Sequence, residues 1–391
     1  MWCLSLILAA APLSFDEALQ RADTTPAIEA ARVAARQQRD AVSYVAPLSD
    51  NPVVTANAGV RTYPKGEVGA PVGPEVHLQL GQNFNLGGLT NARRAVAQQE
   101  AAQAAAQWAV QRRTLRLEVA RAWLDMWVAD ASAQVAEEES RQAEELASRV
   151  ERALKNATAT RVEAASIRAF AAEARVQALD WEGKRVDASA RLASMLGLEA
   201  LPDVVETLPE ISLLNGDPAP LHARLLSAEA QTQSALAVEA AAQWASQLQL
   251  SVFAGQEWPQ QWVAAVNVGF TLPVFERGEK AQRTYRAQAL SLRGARDAAA
   301  RAENIEWLRM QHELEHTQET LEAVQGRQLP AAEEAATLET TRFERGEATL
   351  FELTTLRRQA LAARIAAVAA RANVVEARHH ANELLRAGES P

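Results

Sequence analysis

Glu75–Leu86, EVHLQLGQNFNL, is the stretch on which the fold turns. Val76, Leu78, Leu80, Phe84 and Leu86 fall on one side of a period-2 alternation, and His77, Gln79, Gly81, Asn83 and Asn85 fall on the other. A strand of this kind has one apolar face and one hydrogen-bonding face, which suits a sheet between oil and water. A half-buried sheet in a globular protein reads the same way, so the neighbours decide. They are long, alanine-rich, polar helices that offer a sheet no core to rest on.

Upstream, Val54, Ala56, Ala58 and Val60 alternate with Thr55, Asn57, Gly59 and Arg61 in a strand expected over 53–63. The Gly- and Pro-rich loop 64–74 joins it to the first stretch as a hairpin, 53–86. Before it, Ser14 and Asp16 predict the start of a helix to about Tyr44, interrupted near Pro26. After it, Gly87–Gly88 break the strand, and Asn91 predicts the cap of a helix to about Leu154. At 1.5 Å per residue that helix is on the order of 95 Å long. Its stripe of Leu115, Val119, Ala122 and Met126 is flanked by Trp123 and Trp127, which fill a groove between helices. A turn at Lys155–Thr158 leads into a second helix ending near Met195, and a proline-rich linker covers 201–219.

The pattern then repeats. A helix from Pro220 precedes a second hairpin, 247–272. There Leu248, Leu250, Val252 and Ala254 alternate with Gln249, Ser251 and Gly255, and Ala264, Val266, Val268, Phe270 and Leu272 with Ala265, Asn267, Gly269 and Thr271. A long helix to about Glu344, kinked at Pro330, a turn at Arg345–Glu347 and a last helix to about Leu385 complete it. Ala159–Glu163 (ATRVE) aligns with Ala348–Glu352 (ATLFE). The chain therefore reads as two structural repeats, 14–200 and 220–391.

Composition narrows the function. Net charge is −9, and no Lys/Arg stripe interleaved with aromatics occurs, which argues against nucleic acid. No apolar run is long enough for a membrane helix, so any crossing must use strands. Residues 1–13 contain LSLILAAAPL (4–13) and resemble the apolar part of a signal peptide cut after Ala11, without a basic n-region. That cut removes Cys3, the only cysteine, as suits an oxidising envelope compartment. Four amphipathic strands cannot close a barrel alone, and open edges are not tolerated in lipid, so copies must pool their strands.

The duplication, the junctions FNLGGLTNARRA (84–95) and LPVFERGEKAQ (272–282), and RFERGEATLFELTTLRRQAL (342–361) together resemble the TolC-like outer-membrane efflux family. Phe343, Gly346, Thr349 and Glu352 fit that family's aromatic–Gly–Thr–acid pattern. The resemblance implies a mainly α fold with a small β part: long antiparallel helical hairpins in an α-barrel, plus four strands given to a trimeric transmembrane β-barrel of twelve. It implies a homotrimer in outer-membrane lipid of a Gram-negative cell, with helices in the periplasm. Its partners would be a periplasmic adaptor (membrane fusion) protein and an inner-membrane efflux pump. It implies a passive duct without cofactor, closest to the metal-cation branch, carrying metal cations or drugs. The adaptor-docking tips map onto Lys155, Asn156, Thr158, Arg345, Gly346, Glu347 and Thr349, and the aperture gate onto Glu352.

Two readings from other classes compete. His312-Glu313-Leu314-Glu315-His316 spells the H-E-x-x-H of a zinc metallopeptidase, with His312 and His316 as ligands and Glu313 as base. Such a site needs a third ligand and a cleft, and a continuous charged helix supplies neither, so a solvated face is expected. A soluble coiled-coil scaffold explains the helices but not the four strands. His379-His380 read as helix-end histidines beside the macrodipole. Gly87–Gly88 is no phosphate loop, because no Lys and no βαβ context accompany it.

Overall fold

The computed structural model describes residues 12–46, 50–61, 73–156, 159–204, 207–257 and 261–386. Most of the expected signal segment, most of both strand-joining loops, and Thr158 lie outside these residues. In chain order come β1 (Pro12–Leu13), α1 (Phe15–Asp23), α2 (Pro26–Ala41), β2 (Val53–Arg61), β3 (Gly73–Asn85) and α3 (Leu89–Lys155). Then follow α4 (Arg161–Leu196), β4 (Asp203–Val204), α5 (Leu221–Gln243), β5 (Gln247–Glu257) and β6 (Gln261–Thr271). The last elements are α6 (Glu279–Ala323), a π-turn (Val324–Gln328), α7 (Leu329–Glu344) and α8 (Leu350–Leu385). The chain forms two compact units, one of 1–30, 109–220 and 301–389, the other of 31–108, 221–300 and 390–391. Each draws on both halves of the sequence.

In the first unit the stripe read from α3 is the core. Val119, Ala122, Trp123 and Met126 are almost wholly buried against Phe15 and Leu19 of α1, Leu192 and Leu196 of α4, and Ala372 and Val375 of α8. Trp127 is buried there too, so both indoles fill space between helices. The small residues let the helix backbones approach closely. A second cluster joins Leu146 and Val150 to Ile167, Phe170, Leu350 and Leu353.

Buried charge also lies in this unit. The Arg112 guanidinium forks onto Asp23 through two bonds of 2.8 Å. Arg116 bridges Asp23 at 2.9 Å and Glu383 at 3.0 Å. Burial works to raise the Asp23 pKa, but Arg112 and Arg116 hold it below the usual carboxylate value.

Two local expectations, the cap of α3 and the kink at Pro330, differ from the structure. Asn91 does not cap α3: the helix starts at Leu89, and the Asn85 side chain accepts from the N–H groups of Gly87 (2.8 Å) and Leu89 (3.3 Å). Within the linker stretch the short strand β4 pairs in parallel with β1, Pro12 against Asp203 and Leu13 against Val204. The kink expected at Pro330 is a π-turn one turn earlier, at Val324–Gln328. Widening the helix there accommodates a proline ring that would meet the carbonyl four residues back.

Candidate functional site

The second unit holds one four-stranded antiparallel sheet in the order β2-β3-β5-β6. Its register decides what each face is. Val54, Leu80, Val252 and Val266 stand opposite one another across the four strands, as do Ala56, Leu78, Ala254 and Ala264. Phe84, Leu248 and Phe270 form another such row. Directly opposed residues share a face, so the apolar parity of every strand lands on the same side. The other side carries Thr55, Gln79, Asn57, His77, Ser251 and Asn267.

Over 76–80 of β3 and 250–255 of β5, the two central strands, solvent exposure runs opposite to that of a sheet in water. Val252 is 51% exposed, whereas its neighbour Ser251 is 3% exposed. Leu78, Val266, Val268 and Phe270 are all exposed. On the polar face of these central strands Gln79 Nε2 donates to Ser251 Oγ at 3.1 Å. His77 lies 3.6 Å from Glu75 and tilts over Phe253, with 5.0 Å between ring centroids. Gly255 makes room for it, since a β-carbon there would collide with the imidazole. β2 and β6 are the sheet's edges, and neither has an outer partner among the described residues.

The helices that follow the two turns of the first unit, α4 and α8, open in the same way. At 345–347 the Glu347 N–H donates to the Arg342 carbonyl (2.9 Å) and the Gly346 N–H to that of Phe343 (3.0 Å). This is a Schellman motif, and its left-handed position is Gly346 at φ +76°. α8 then opens with a capping box: Thr349 Oγ1 accepts from the Glu352 N–H at 3.2 Å, and Glu352 Oε2 accepts from the Thr349 N–H at 2.9 Å and its hydroxyl at 2.8 Å. Thr160 and Glu163 repeat the box at the start of α4. Both turns rest on the same cluster, against which Leu154, Ala159 and Phe343 pack.

No family model and no curated protein matches the sequence. Solved structures do match in fold. The open-state MtrE outer-membrane channel of Neisseria gonorrhoeae aligns with a TM-score of 0.78 at 18% identity, covering 98% of this chain and 93% of its own. The Campylobacter jejuni CmeC outer-membrane channel gives 0.80 at 12%, covering 96% and 87%. CusC, described by its transmembrane channel formation, gives 0.78 at 12%, covering 96% and 93%. This chain has the TolC-like channel fold.

In the TolC-like fold the aromatic–Gly–Thr–acid pattern acquires a physical meaning. Phe343 seats the turn, Gly346 takes the left-handed position, and Thr349 and Glu352 cap each other. Lys155, Asn156, Arg345, Gly346, Glu347 and Thr349 are exposed at the two turns. Glu352 is exposed, and its bonds from the Thr349 N–H and hydroxyl hold its carboxyl below the usual range, as the Thr160 bonds do for Glu163. Val162 and Phe351 escaped the sequence reading. They sit at equivalent places inside the two boxes and are 75% and 76% exposed. The alignment of ATRVE with ATLFE carried that signal.

The histidines behave differently from one another. The His312 and His316 rings stack on one helix face, centroids 6.3 Å apart, and both are exposed. Among the described residues no third His, Cys, Asp or Glu joins them in a metal-sized group. His379 is not a solvated helix-end residue: it is buried, edge-on to Phe15 at 5.2 Å. Burial, with Arg116 and Arg386 nearby, lowers its pKa to about 3. His380 points elsewhere, its Nε2 lying 3.4 Å from Glu306.

Proposed function

We propose that the chain is the outer-membrane channel component of a tripartite efflux system. In this reading three copies join their sheets edge to edge, β2 of one beside β6 of the next, in a twelve-stranded barrel. The observation that carries it is the exposed apolar face that runs across all four strands, with Val252 open beside a sheltered Ser251 in the sheet's centre. Water does not stabilise such a face, and hydrocarbon does. The unpaired edges ask for further strands of the same length, and a second and third copy supply them.

The helices then lie in the periplasm of a Gram-negative cell. The turns at Lys155–Thr158 and Arg345–Thr349 dock a periplasmic adaptor, which links the duct to an inner-membrane pump. Val162 and Phe351 add an apolar contact to those polar tips. Glu352 serves as cap and as aperture charge together, because the box occupies Oε2 alone. A ring of three ionised carboxylates favours cationic cargo, metal ions or drugs. Mild detergent extraction tests the reading: a heat-labile trimer band from the outer-membrane fraction is expected, and release as a monomer by aqueous buffer overturns it.

A further inference from the structure

The apolar parity of β6 does not stop at the end of the sheet. Phe270, Leu272 and Val274 continue it, and all three are more than half exposed. Phe275, next in line, is fully exposed. Cations follow at once. Val274, Phe275, Arg277 and Lys280 line one groove at the start of α6. Arg277 precedes the left-handed Gly278 (φ +69°), and Lys280 lies in the first turn of α6, so the bend of the chain brings both cations to that groove. The first hairpin ends in the same order, with Leu86 58% exposed and Arg94 exposed in the opening turns of α3.

The local acids are otherwise engaged. Glu276 accepts from the Gly278 N–H at 2.9 Å, and Glu279 lies 3.6 Å from Arg283. The Arg277 Nε donates to the Pro273 carbonyl at 3.2 Å, and neither it nor Lys280 nor Arg94 meets a carboxylate among the described residues. Exposed apolar groups followed by cations that make no ion pair among the described residues, after each of the two hairpins, match one surface in chemistry. That surface is a bilayer leaflet with anionic headgroups beside its hydrocarbon.

We propose that the two strand-to-helix junctions form a basic collar, Arg94, Arg277 and Lys280, that binds anionic phospholipid headgroups of the leaflet facing the helices, with Phe275 inserted beside them. The collar rests on the barrel reading above, and the two can fail separately. The experiment inserts the full chain into vesicles of phosphatidylethanolamine alone or with phosphatidylglycerol, and measures the inserted fraction by flotation. The wild type is expected to favour the phosphatidylglycerol vesicles, less so in high salt. Each Arg or Lys changed to Gln should cost about fivefold of that preference. Arg94→Gln/Arg277→Gln/Lys280→Gln should therefore insert equally into both, while the Arg→Lys variants at 94 and 277 keep the preference. Equal insertion by the wild type, or an undiminished preference in an assembled triple variant, overturns the collar and leaves the barrel standing. Insertion into neither vesicle overturns both.

Discussion

Trp123 donates its indole N–H to the carbonyl oxygen of Leu13 at 2.9 Å, and both residues are almost wholly buried. The bond ties the segment that enters α1 to the middle of α3, next to the Phe15 ring, whose centroid is 5.3 Å from the indole. Trp123→Phe keeps most of the packing and strands a buried carbonyl. A loss of about 1–3 kcal/mol in the helical unit is expected, read by thermal or denaturant unfolding. An unchanged midpoint would mean that water reaches the Leu13 carbonyl.

The sheet's two faces predict opposite tolerances. Leu78→Arg and Val268→Arg each set a charge on the apolar face, at a cost of about 2–4 kcal/mol near the middle of a bilayer. Gln79→Arg and Asn267→Arg place the same group on the polar face and should assemble normally. Outer-membrane yield of the heat-labile trimer is the readout. Equal yields from all four would remove the lipid assignment of that face.

Glu352 is argued to be both cap and charge, and Gln separates the two. A glutamine still closes a capping box, so Glu352→Gln should leave the thermal midpoint near that of the wild type while lowering cation selectivity in single-channel recordings. Glu352→Ala should lower both, and Thr349→Ala should cost about 1 kcal/mol of stability with the charge retained. Glu163→Gln is the control in the other box. If it shifts selectivity as much as Glu352→Gln does, the aperture has two acidic contributors per copy.

His379 gives a pH prediction with a definite sign. Its folded pKa is depressed from 6.5 to about 3, so between those values the unfolded chain binds the extra proton. Its contribution is full above pH 6.5 and is lost progressively as pH falls toward 3, by at most about 1.4 kcal/mol per pH unit. The groups around it are Arg116, Arg386 and His380, and Arg116 also carries Glu383 and Asp23. Replacing His379 with Leu should flatten unfolding midpoints between pH 6.5 and 4. A slope that survives the substitution would assign the acid sensitivity to the carboxylates.

The strands were legible because each has one apolar and one polar face, and period-2 alternation records that directly in Val76–Leu80 and Val266–Phe270. The helices were legible from their stripes and their breaks. What stayed hidden depends on partners distant in sequence. A two-residue strand such as Pro12–Leu13 has no period, and its partner Asp203–Val204 lies in what composition marks as linker. Asn91 is as good a capping residue as Asn85, and only the strand's exit path favours the latter. Nothing adjacent to His379 in sequence says that Phe15 covers it. The candidate tips at 345–349 were found by resemblance, and their geometry supplies the reason for the pattern.

The bare edges β2 and β6 give the chain a split kinetic personality. The clusters around Trp123 and Ile167 are built within one copy, so their formation is expected to be first order. Under the proposed trimer, completing the sheet depends on encounters between copies, so dilution should slow strand protection in hydrogen exchange and leave the α3–α4 amides unaffected. Until those encounters occur, two rows of strand amides remain available to any extended chain nearby. A cell making this protein quickly must therefore bring copies together before something else finds the edges.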